Sequence, residues 1–187
     1  MDIEIRELKP QEEPLLKDFL YEAVFRLPDQ PPYPRQIIEE PAVRVYIEGW
    51  GRPGDICLVA LADGEIAGAV WTRLLTGDKK GFGYVDDNAP ELAISLFKPY
   101  RGQGLGTKMM QAIINRLTAD GYRKVSLSVT KDNPACRLYQ RLGFQTIFEN
   151  DDDYLMVLNL AGNTASANSA DAPLADWRRM LTVNEYV

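Results

Sequence analysis

The stretch from Glu91 to Thr130 admits few folds. Residues 91–97 (ELAISLF) alternate, with Glu91, Ala93, Ser95 and Phe97 on one face and Leu92, Ile94 and Leu96 on the other, the period of a strand. A turn with glycines at 102, 104 and 106 follows, and then Leu105, Met109, Ile113 and Leu117 recur at four-residue steps, which predicts an amphipathic helix that Gly121 ends. Val125, Leu127 and Val129 next alternate with Ser126, Ser128 and Thr130. Strand, glycine turn, helix, strand is a crossover, so the two strands are expected to lie parallel in one sheet.

The flanking segments pair differently. Ile3 to Arg6 reads as a first strand and Glu12 to Phe25 as a helix, stopped by the prolines at 28, 31, 32 and 34; a second helix is expected over Pro41 to Trp50. Ile56 to Ala62 and Glu65 to Leu75 flank Asp63-Gly64, a two-residue hairpin signal, and so should be antiparallel. After the Gly- and Asp-rich residues 76–90 and the crossover unit, Asn133-Pro134 opens a short helix to Leu142. Phe144 to Phe148 and Tyr154 to Leu160 then form a last antiparallel pair around an acidic turn. The reading is one α/β (α+β) domain over residues 1–160. Residues 161–176, rich in Ala, Ser and Asn, read as a polar linker, and 177–187 as an appendage with Trp177, Met180 and Leu181 on one helical face, placed to dock on its own domain or to form a homodimer.

Composition narrows the chemistry. The chain has no histidine, which removes Ser-His-Asp and Cys-His nucleophile systems and the commonest zinc sites. Cys57 and Cys136 match no metal or redox spacing, so they read as reduced thiols, and no metal is expected. No segment approaches the ~18 apolar residues of a membrane span, and the charge of −6 argues against nucleic acid. The expectation is a cytoplasmic, soluble protein whose partner is not nucleic acid. The charge is uneven: residues 101–141 hold eight basic and two acidic side chains, a +6 island in an otherwise acidic chain.

That island contains the glycine turn. Without side chains at 102, 104 and 106, backbone amides and the positive helix end can surround an anion such as a phosphate. No Lys-Ser or Lys-Thr follows at P-loop spacing, and Gly-x-Gly-x-Gly is not the dinucleotide fingerprint.

Taken together, Arg101-x-x-Gly104-x-Gly106 after a strand, the helix and strand that follow, Asn133, Tyr139 and Leu142-Gly143-Phe144 resemble the GNAT superfamily of N-acetyltransferases. The specific motifs lie within 91–144; the first 90 residues match in element order only. The resemblance implies a mixed, mostly antiparallel central sheet with a parallel, splayed strand pair and helices on both faces. It implies acetyl-CoA as acetyl donor, its pyrophosphate held at Arg101, Gly102, Gln103, Gly104, Leu105, Gly106 and Thr107, and its pantetheine arm bonded near Leu96, Phe97 and Asn133. It also implies direct attack by a primary amine, with Tyr139 protonating the departing thiolate and Glu91 taking the amine proton through water. Tyr33 and Trp71, with Phe25, are candidates for lining the acceptor pocket, and Asp86 and Asp87 for attracting a cationic amine; core packing and surface solvation are the alternative readings of these residues. The rival function is a non-catalytic acyl-CoA-binding or sensing module on the same fold.

Overall fold

The computed structural model describes residues 1–160; the linker and appendage expected over 161–187 lie outside the described residues. Seven strands form one sheet: β1 (Ile3–Glu7), β2 (Ile56–Ala62), β3 (Glu65–Arg73), β4 (Glu91–Leu96), β5 (Lys124–Thr130), β6 (Gln145–Glu149) and β7 (Asp153–Asn159), in the order β1-β2-β3-β4-β5-β7-β6. Every neighbouring pair is antiparallel except β4 and β5, which are parallel. The expected mixed sheet is therefore present. Asp63 and Gly64 both take positive φ between β2 and β3, the backbone a two-residue hairpin of this twist requires.

Helices cover both faces. On one side α3 (Leu105–Ala119) and α4 (Ala135–Arg141) bury Leu105, Met109, Ile113, Leu117 and Tyr139 against Leu58, Val70, Leu92 and Leu127. On the other, α1 (Leu16–Ala23) and α2 (Pro41–Arg44) bury Leu16, Phe19, Leu20 and Val43 against Cys57, Val59, Ala69 and Trp71. The faces of β4 divide as its alternation predicts: Leu92, Ile94 and Leu96 pack toward α3, and Ala93 and Phe97 toward α1. Among the described residues no helix is long and apolar enough to cross a membrane.

Two helices are shorter than the periodicity implies. The segment Pro10–Leu15 is a 3-10 turn that contains Pro14, and the α-helix begins only at Leu16. Proline lacks the N–H of an i→i−4 bond. The second helix ends at Arg44 rather than near Trp50, and the chain turns through Gly49 at φ +59°. A buried arginine from β3 holds that turn. The Arg73 guanidinium grips both Asp55 carboxylate oxygens at 2.9 Å and donates to the carbonyls of Val45 and Glu48 at 2.9 Å and Gly49 at 3.3 Å.

Candidate functional site

The β4–β5 ladder contains a single register pair, Glu91 with Ser126, whereas β5 and β7 pair over seven residues. Past that pair the two parallel strands separate. On its other side β4 stays paired with β3 from Glu91 to Leu96, and Gly68, opposite Leu96, lets the two backbones approach so closely that a Cβ there would fall on the Ser95 carbonyl and lie 2.8 Å from Leu96 Cα. The Phe97 N–H bonds Ala67, which turns the main chain of odd-numbered β4 residues toward β3 and that of Ile94 and Leu96 toward the gap. Ser126 N–H takes the Pro90 carbonyl at 3.0 Å and closes the gap at its inner end.

The glycine turn stands at the open end. Gly102 and Gly104 take φ of +74° and +79°, and Gly104 forms the N-terminal boundary of α3; a Cβ at either position would meet nothing within 4 Å. The amides of Thr107 and Lys108 bond the Gly104 carbonyl at 3.1 and 3.3 Å. Among the described residues no protein acceptor takes the amides of 102–106, the orphan donors of a helix start. At Gly102 and Gly104 the turn borders open space with the positive end of α3 behind it, an arrangement suited to a diphosphate.

The side chains of the turn brace it. Arg101 Nε donates to the Leu96 carbonyl at 2.7 Å and its guanidinium pairs with Glu22 of α1 at 2.7 Å, so of the Leu96 main chain the carbonyl is already engaged. The Gln103 carboxamide folds back on the Pro99 carbonyl at 2.8 Å. Thr107 is exposed in the first turn of α3. Across the gap, Asn133 ends the β5 crossing: its N–H bonds Thr130 and its Oδ1 accepts the Ala135 N–H at 2.9 Å, which starts α4. That is the capping expected from Asn133-Pro134.

Two residues expected in proton transfer are interior. Tyr139 is 6% exposed, packs its ring at 5.8 Å and a 57° tilt against Phe144 and faces the α3 side; burial pushes its phenol well above the ordinary tyrosine range, so it stays protonated. Glu91, although at the start of its strand, is 1% exposed, so its carboxylate is buried. Gly81 N–H donates to its Oε1 at 3.0 Å; Gly83 N–H and the Tyr46 hydroxyl donate to its Oε2 at 2.8 and 2.9 Å.

The acceptor-side expectations divide. Trp71 is fully buried, its indole N–H on the Tyr46 carbonyl at 3.2 Å, which corrects the pocket-lining reading: it is core. Tyr33 is half-buried and its carbonyl accepts the Tyr21 hydroxyl at 2.7 Å. Asp86 pairs with Lys124 and also accepts the Asn88 N–H, and Asp87 accepts the Tyr84 hydroxyl, so both carboxylates order the loop before β4. Sequence reasoning missed Ser95, whose buried hydroxyl has no hydrogen-bond partner among the described residues and which shares the α1-side face of β4 with Glu91 and Ala93. It also missed Gly68, although an isolated glycine inside a strand pattern signals close backbone approach.

Comparison with known proteins agrees with this geometry. A model of the Acetyltransferase (GNAT) family matches residues 21–144. Mycothiol acetyltransferase of Corynebacterium glutamicum (strain R) is 41% identical over 69 residues, 34% of this chain and 24% of that protein. A Bacillus subtilis subsp. natto protein named for spermine N(1)-acetyltransferase activity is 49% identical over 51 residues, 26% of this chain and 33% of that one. The chain thus spans about a quarter to a third of the length of these curated relatives. Among solved structures, a Salmonella typhimurium protein with its cofactor acetyl-CoA superimposes with a TM-score of 0.59 at 17% identity, over 87% of this chain and 96% of the other, a likeness of fold. The splayed parallel pair, the open glycine turn at its mouth and the family match over residues 21–144 lead to one conclusion: this chain belongs to the Acetyltransferase (GNAT) family.

Proposed function

We propose that the protein transfers an acetyl group from acetyl-CoA to a primary amine by direct attack in a ternary complex. The observation that carries this reading is the row of unengaged amides at 102–106, open at the mouth of the β4–β5 gap. These amides and the end of α3 would hold the diphosphate, with Arg101 bracing the turn. The arm would enter between the strands, its amides meeting main-chain groups of Ile94 and the Leu96 N–H on one side and those near Asn133 on the other.

The acceptor enters from the α1 face, where Glu91, Ala93 and Ser95 project. The amine nitrogen attacks the thioester carbonyl carbon, the C–S bond breaks, and the sulfur takes the proton of the Tyr139 phenol. The proton lost by the amine passes to Glu91. Three residues of strand separate Glu91 from Ile94, about 10 Å at the usual rise, so this transfer runs through water. The acidic charge of residues 1–100, 18 carboxylates against 11 basic residues, favours a cationic amine by raising its local concentration. The similarity to relatives named for spermine and mycothiol acetylation supports a small-molecule acceptor.

The test is thiol release from acetyl-CoA with a panel of amines that includes spermine and short peptides. Turnover with at least one primary amine and N-acetylated product by mass spectrometry are expected. Coenzyme A binding without thiol release for any amine would overturn the catalytic reading in favour of a sensing module.

A further inference from the structure

The buried carboxylate of Glu91 is surrounded by donors from a part of the chain no motif marks. Two come from the main chain of Gly81 and Gly83 and the third from Tyr46, in the turn that follows α2. The direction of that third bond is fixed. Tyr46 oxygen itself receives the N–H groups of Phe82 at 2.8 Å and Gly83 at 3.4 Å, so its one hydrogen must point to Glu91 Oε2. The enclosure leaves no room for change: a Cβ on Gly81 would lie 2.5 Å from the Tyr46 oxygen, and one on Gly83 would lie 3.1 Å from both Glu91 Oε2 and the Leu127 backbone.

We propose that Tyr46 is a positioning residue for Glu91, one whose hydroxyl fixes the carboxylate against the 81–83 turn and holds down its affinity for a proton. This rests on the reading of Glu91 as proton acceptor. All three donors just named are neutral, and each favours the ionised carboxylate. Several other polar groups near it have partners of their own. Arg73, the register partner of Glu91 on β3, is spent on Asp55 and three carbonyls. From the loop, Tyr84 donates to Asp87 with Lys80 over its ring, and Asp86 pairs with Lys124 of β5. Ser126, the register partner on β5, directs its hydroxyl to the Pro90 carbonyl. Burial and the negative charge of Glu91 both push the Tyr46 phenol up, so it remains a donor across the range of an assay.

The experiment is a pH titration of the Glu91 carboxyl carbon by NMR in the full chain, with Glu91→Gln identifying the resonance. Three proteins are compared: wild type, Tyr46→Phe, and the chain with 3-fluorotyrosine at 46, a more acidic phenol and a stronger donor that keeps every bond should the Phe variant fail to fold. The Glu91 midpoint is expected to rise by about one pH unit in Tyr46→Phe and to fall with fluorotyrosine. A midpoint or an ionised signal that is the same in all three overturns the proposal; a purely structural tyrosine changes stability without moving it. The two readings fail separately. Glu91→Gln with full amine-dependent thiol release removes the base and leaves these shifts standing, whereas unmoved midpoints beside an inactive Glu91→Gln remove the role of Tyr46 and leave the base.

Discussion

Gly104→Ala and Gly106→Ala separate what the turn does for the fold from what it does for the cofactor. Gly104 is held at φ +79°, where a Cβ collides with its own backbone rather than with neighbours, since nothing lies within 4 Å. Alanine in left-handed backbone costs about 1–2 kcal/mol, and the stiffer unfolded chain returns roughly 0.5 of that. The net loss of about 1 kcal/mol lowers Tm by about 2–4 °C for a chain of this size. The open space that makes the change sterically harmless in the free protein is where the diphosphate is proposed to sit. Displacing it by one methyl forfeits one or two charge-assisted bonds, so the Kd for coenzyme A should rise about 10- to 100-fold. Gly106 is helical, and its Cβ would meet Leu138 and Leu96 at an ordinary 3.7 Å. There alanine should stabilise by about 0.5–1 kcal/mol, with Kd unchanged within about threefold. Calorimetric titration with coenzyme A and thermal unfolding of each variant give all four quantities. A Gly104→Ala protein that loses its few degrees of Tm yet binds coenzyme A as well as wild type would refute the placement.

Three further outcomes are expected. Tyr139→Phe should cut amine-dependent turnover by about 100-fold, the scale of a lost general acid, while calorimetry shows an unchanged Kd for coenzyme A. Arg73→Met should cost about 3–5 kcal/mol because it leaves the Asp55 carboxylate buried without its cation, read as a fall of about 10 °C in Tm; the Arg73 and Asp55 side chains are 1% and 4% exposed. The Arg6 guanidinium on Glu12 holds that carboxyl down at about 2. The pair's contribution is therefore complete above the ordinary glutamate range near pH 4.5 and lost as pH falls toward 2, so the stability difference between wild type and Glu12→Gln, measured by denaturant titration, should shrink across that window.

The crossover and its glycine turn were legible because their signals are local. Alternation at 91–97, four-residue steps at 105–117 and Asn133-Pro134 each fix geometry within a few residues, and the structure has those elements within a residue or two. The first two helices were overread because apolar spacing carries no record of Pro14 breaking a hydrogen bond or of carbonyls handed to Arg73. Long-range polar contacts were invisible for a related reason. Arg73 and Asp55 are 18 residues apart and Tyr46 and Glu91 are 45 apart, and nothing in the spacing of charged or aromatic residues says that they meet inside the protein. Trp71 shows the same limit: its type suits a pocket wall or a core, and only burial decides. The splay, by contrast, was expected from resemblance alone, and it is the single β4–β5 register pair that displays it.

The most direct measurement is an amide NMR titration of the protein with coenzyme A, which reads the nitrogens themselves. The largest and saturable changes should fall on residues 102–106, with smaller ones at Ile94, Leu96 and Asn133 along the gap. Saturation elsewhere while the 102–106 amides stay still, or no response at millimolar coenzyme A, would contradict the site.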